Sequence, residues 1–141
     1  MNLIDDVGVA KEKWFEMEGG GKVQFRIIPS SIYKEIQKKT VKKKETFKKV
    51  EGTPAHFVDE IIDTDLQNEL FWDAVIVSWN DFSFRHPETK EVITCTPDTC
   101  TRENKLILIN QSSKFITFAN ESLKALADDE NQQKEDEKKT L

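Results

Sequence analysis

Trp14-Phe15-Glu16-Met17-Glu18-Gly19-Gly20-Gly21-Lys22-Val23-Gln24-Phe25-Arg26-Ile27-Ile28-Pro29 is the stretch from which the fold can be read. Two runs rich in aromatic and β-branched residues, Trp14 to Met17 and Lys22 to Ile28, flank three glycines able to supply the positive φ of a tight turn. The stretch predicts a β-hairpin. Pro29 has no N–H to give to a ladder and ends the second strand, and Ser30 or Ser31 can cap a helix beginning at Ile32. On that helix Ile32 and Ile36 share a face with Tyr33 and Val41 beside it, and lysines occupy the rest.

Further along, residues 43–54 contain Glu51-Gly52-Thr53-Pro54 and read as an internal linker. Phe57, Val58, Ile61 and Ile62 then form an apolar patch that fits either a strand or one helical turn. Thr64-Asp65-Leu66-Gln67 has the spacing of a capping box and predicts a helix running to about Trp79. On it, Leu66, Leu70, Ala74 and Val77 share one face, whereas Trp72, Ile76 and Trp79 form a second stripe nearly opposite. Such a helix is either enclosed on both sides or offers one stripe to a partner. Phe82 to Phe84 and Glu91 to Cys95, around His86-Pro87-Glu88-Thr89-Lys90, predict a second hairpin. Thr101 caps a following helix, and Ser112 or Ser113 starts a last one with Phe115, Ile116, Ala119, Leu123 and Leu126 at helical spacing. The expected fold is therefore α+β, two short antiparallel β-hairpins packed with about four helices in a single small domain.

Charge sets the boundaries of that domain. The chain has 141 residues and a formal net charge of -5, with a mean hydropathy of -0.60. Asp128 to Leu141 has six carboxylates against three lysines and no apolar residue before Leu141, so it reads as a disordered acidic tail. Residues 1–12 read as a flexible arm and 13–127 as the domain. No run approaches the roughly 18 apolar residues of a membrane span, and Asp5 and Asp6 stand where a secretory signal would be basic and then apolar, which predicts a cytoplasmic protein.

Chemistry-bearing groups are sparse. Cys95 and Cys100 have one imidazole, His86, near them, short of the four ligands of a structural zinc site, and read as free thiols. No nucleophile elbow, metal-binding helix or phosphate loop is present, so neither an enzyme nor a cofactor is expected. Lys34 to Lys49 holds eight lysines against Glu35 and Glu45. That segment is open to three readings: a solvated face or linker, a contact for an acidic protein through residues such as Lys38, Lys42 and Lys43, or a phosphate-binding run. The absence of arginine from the run and the acidic chain weigh against nucleic acid.

Taken in order, the Trp-Phe strand, the glycine turn, Phe25-Arg26-Ile27-Ile28, the lysine-bearing helix, Asp73-x-x-Ile76-x-x-Trp79 and Thr101-Arg102-Glu103-Asn104 resemble the tail assembly chaperone-like proteins of tailed bacteriophages and prophages, siphophage type. The resemblance spans about residues 13 to 127. It implies a non-catalytic assembly factor in the cytoplasm of the bacterial host that shields the tape-measure protein and can recruit tail-tube subunits. Trp72, Ile76 and Trp79, with Lys38, Lys42 and Lys43, are then the candidate partner-binding residues. The alternative function is a small nucleic-acid-binding phage accessory protein using Lys34 to Lys49.

Overall fold

The computed structural model of the chain describes residues 12–139, with side chains to residue 129. The fold is α+β, with every strand pair antiparallel. The first hairpin joins β1 (Glu12–Glu16) to β2 (Lys22–Arg26). Gly19 and Gly20 both turn at positive φ, and Gly21 serves packing instead: a Cβ there would lie 2.7 Å from the Cβ of Phe82. α1 (Ser30–Thr40) follows Pro29, without a side-chain cap, and the second hairpin is β6 (Phe82–Arg85) with β7 (Val92–Cys95). Thr101 caps α3 (Arg102–Gln111) by accepting from Asn104 N, and α4 (Ser113–Lys139) is the last helix. The predicted N-terminal arm, 1–12, lies outside the described residues apart from Glu12.

Three expectations need correction. Residues 43–54 are not a linker. They belong to a long hairpin of β3 (Val41–Val50) and β4 (Thr53–Ile62), closed by Glu51 and Gly52 at positive φ, the two-residue turn that matches strand twist. The apolar patch at 57–62 is accordingly strand. Residues 128–141 are not a disordered tail as far as they are described, since α4 continues to Lys139. Extending a helix already nucleated by buried Phe115, Ala119 and Leu126 fixes one residue per hydrogen bond, and Glu, Gln and Lys favour that state.

The third correction concerns the Trp72, Ile76, Trp79 stripe. α2 (Thr64–Val75) begins after Asp63, whose carboxylate accepts from Leu66 N, and it stops four residues short of Trp79. The chain continues as β5 (Ile76–Asn80), which completes a sheet of order β1-β2-β5. In a regular strand residues 76 and 79 would point to opposite faces. Here Phe25 opposes Ile76 and Gln24 opposes Ser78, so Val77 is the extra residue of a β-bulge. The bulge turns Ile76 and Trp79 onto the side of Val23 and Phe25, and all four side chains are fully buried. Trp72 is also buried, leaving no stripe for a partner.

Trp79 meets Phe82, Phe84 and Phe115 edge-on at centroid distances of 5.7, 6.3 and 6.5 Å, and its Nε1 donates to Thr99 Oγ1 at 3.2 Å. Phe25 reaches Phe118 of α4 at 5.8 Å. Lys105 is buried in a polar way: its Nζ donates to both the carbonyl and Oδ1 of Asp73, fastening α3 to α2. Trp79→Ala should therefore cost about 3–5 kcal/mol in denaturant unfolding. A fall below about 1 kcal/mol would mean the indole is not the centre of the core.

Cys95 is fully buried in this cluster, and burial, with Cys100 close by adding to it, pushes its thiol up to about 12. Burial likewise raises Cys100 to about 11, opposed by Lys105. Both are free thiols. A raised thiol pKa favours the protonated folded form, so this contribution to stability is complete below the ordinary thiol pKa of 9.0 and is lost as pH climbs towards 12. Native protein should consequently resist thiol alkylation at about pH 8 and expose both thiols on denaturation.

Candidate functional site

The β3–β4 hairpin is the part of the described chain that the core does not claim. Each strand has ten residues, so the ribbon extends about 34 Å. Its base is fixed where α1 and α2 meet. Thr40, itself buried, donates its Oγ1 to Ile36 O at 2.7 Å, accepts from Gln67 Nε2 at 3.4 Å, and receives Asp63 N on its carbonyl at 2.8 Å. Beyond that lock the hairpin packs chiefly on itself, and nearly every side chain along it is exposed.

Register decides what each face presents. On one face Lys42, Lys44, Thr46, Lys48 and Val50 of β3 lie opposite Ile61, Asp59, Phe57, Ala55 and Thr53 of β4. A row of lysines therefore runs beside a mainly apolar row, in which Phe57 and Ile61 are 42% and 53% exposed. The other face pairs Val41 with Ile62, Lys43 with Glu60, Glu45 with Val58, Phe47 with His56 and Lys49 with Pro54. There the Phe47 ring stacks on His56 at 4.7 Å and is still 76% exposed, and His56 Nε2 lies 3.8 Å from Glu45 Oε1. A two-stranded ribbon with solvent on both faces is marginal alone, and six large apolar side chains exposed along it form a surface of the kind that partners cover.

The predicted site residues do not converge. Trp72, Ile76 and Trp79 are core. Lys38 belongs to α1, whereas Lys42 and Lys43, adjacent on β3, point to opposite faces of the arm; all three lysines are exposed. Period-two patterning in Lys42 to Val50 and Ala55 to Ile61 was the available signal for this surface, masked by lysines on both faces. His86 is occupied locally, its Nδ1 accepting from Glu88 N and Thr89 N. Among the described residues no cluster of three or more His, Cys, Asp or Glu could hold a metal ion, and no helix is long and apolar enough to cross a membrane.

A second concave feature lies on the body. A groove of about 960 Å³ runs along all four residues of β6, between the β1–β2 turn and the α3–α4 corner. Phe82, Phe84, Phe115 and Phe118 form its floor, with Glu16, Glu18 and Glu121 among its polar residues. Among the described residues β6 pairs with β7 alone, and its other edge carries no strand. No protein-family model, curated protein or solved structure matches the chain.

The arm and the body should be separable in stability. Replacing 41–62 by a two-residue Gly-containing turn between Thr40 and Asp63 should leave the melting midpoint of the body within a few degrees, because the arm lends the core no buried large apolar side chain. A collapse of the cooperative transition would show that the arm supports the body.

Proposed function

We propose that the chain is a non-catalytic tail assembly factor of a bacteriophage or prophage, a chaperone that holds its partner on the β3–β4 arm. The observation that carries this reading is the arm face on which Lys42, Lys44 and Lys48 run beside Ile61 and Phe57, all exposed. Such a face fits a segment with an apolar stripe flanked by carboxylates, buried apolar area supplying affinity and the lysines register. The sequence resemblance supplies the partner, the tape-measure protein, whose long helices present apolar stripes in need of cover before assembly. Recruitment of tail-tube subunits falls to the remaining surface, and the host cytoplasm is the proposed setting.

Nucleic acid is less well served. Lys43 and Lys44 stand opposite Glu60 and Asp59, so carboxylates accompany the lysines where a phosphate backbone would approach. Co-expression of the full chain with a tape-measure fragment should keep that fragment soluble and co-purify it. Phe57→Ser with Ile61→Ser should weaken retention at least about tenfold while the melting midpoint stays put. Unchanged retention in that variant, or failure to hold the fragment, overturns the reading. Salt-sensitive retention on DNA, abolished by Lys42→Glu with Lys44→Glu, would replace it with the nucleic-acid reading.

A further inference from the structure

We propose that the chain assembles with copies of itself head to tail, the β3 edge and Phe47 of one copy entering the β6 groove of the next. This contact is separate from the partner reading: it uses the Phe47 face of the arm, opposite Phe57 and Ile61, and a groove of the body.

Four observations point to this occupant. The groove is lined by all four residues of β6, a strand that among the described residues is paired along one edge only, so an extended backbone able to continue the ladder is a fitting occupant. Its volume of about 960 Å³ lies at the upper end of the roughly 300–1,000 Å³ of ligand clefts, room for a strand segment with side chains. The floor is aromatic, and Phe47 is the most exposed large apolar side chain described on the chain, at 76%. Charge selects the strand. β3 carries five lysines against Glu45, and the groove holds Glu16, Glu18 and Glu121 against Arg85 and Lys114, one more carboxylate than cation.

The same charges disfavour the competing arrangement, in which two arms pair through their β3 edges. Lysines would then face lysines along an antiparallel ladder, the arrangement by which edge strands are kept apart. On β4, Pro54 removes a donor near the tip. Arm and groove are different surfaces of one chain, so the contact is heterologous and propagates into a ring or an open chain. Entry of the β3 edge with the Phe47 face leaves Phe57 and Ile61 on the opposite face of the arm.

Sedimentation of the full-length chain up to about 100 μM provides the test. Wild type should form concentration-dependent assemblies that weaken with salt. An arm variant, Lys43→Glu with Lys49→Glu on the Phe47 face, and a groove variant, Glu18→Lys with Glu121→Lys, change only exposed charges and should melt like wild type. Each by itself sets like charges face to face and should lose self-association by at least about tenfold. An equal mixture of the two restores opposite charges at both kinds of contact and should assemble again. A wild type that stays a single copy throughout, assembly that survives in either variant alone, or a mixture that fails to assemble overturns the proposal.

Discussion

The body depends on the enclosure of one indole. Trp79 is buried on β5 against aromatic rings from β6 and α4, so three separate stretches of chain must be in place before it is dry. Its N–H would be costly there without an acceptor. Thr99 supplies it, and the Thr99 hydroxyl is itself fully used: it accepts from Trp79 Nε1 and Thr96 N and donates towards the Thr94 and Thr96 carbonyls. The short 3-10 turn at Pro97–Thr99 thus holds an acceptor over the ring. Cys95, at the end of β7 just before that turn, fills the adjoining space as a small hydrophobe, and the low polarity that results is what holds its thiol protonated.

The bulge at Val77 explains both why this core works and why the sequence misleads there. Ile76 and Trp79 are three apart, the spacing of neighbours on a helix face, and they follow a segment that is helical. Only pairing with β2, where one residue is skipped, makes that spacing serve a strand. Non-local pairing leaves no local signature, so periodicity extends α2 one turn too far. The other two hairpins, the cap of α3 at Thr101, the cap of α4 at Ser112, whose Oγ accepts from Phe115 N, and the α+β class rest on local chemistry, and those were legible from the residues. The β3–β4 ribbon failed for another reason. Patterning marks a strand when one face is buried and the other wet, and a ribbon wet on both faces has no such contrast, so Lys42 to Lys49 reads as solvated chain.

Separation of arm from body follows from the same arithmetic of burial. The body gathers its stability in one aromatic and aliphatic cluster, to which the arm contributes no large apolar side chain, and the arm is held by cross-strand pairs and the lock at Thr40. Cross-strand pairs contribute a fraction of a kcal/mol each, and ordering some twenty residues costs more per residue than that. What makes the ribbon form at all is local: a two-residue turn with Glu51 and Gly52 at positive φ, and a base whose strand ends are already held apart at hairpin spacing by α1 and α2. Its free energy of opening is therefore small compared with that of the core, the condition under which binding can decide whether an element is ordered.

That condition constrains any function assigned to the arm. An exposed ribbon with large apolar side chains on both faces is an aggregation hazard unless its edges refuse indiscriminate pairing. The lysines of β3 and Pro54 of β4 provide the refusal, and the carboxylates on the facing strand keep the lysine row from acting as a uniform cation. Under the proposed function, selectivity would come from the requirement that a partner satisfy two rows at once, apolar side chains for Phe57 and Ile61 and negative charge for the lysines beside them. A surface that offered only one of the two would leave either apolar area wet or ammonium groups desolvated without a counterion, and would bind weakly for that reason.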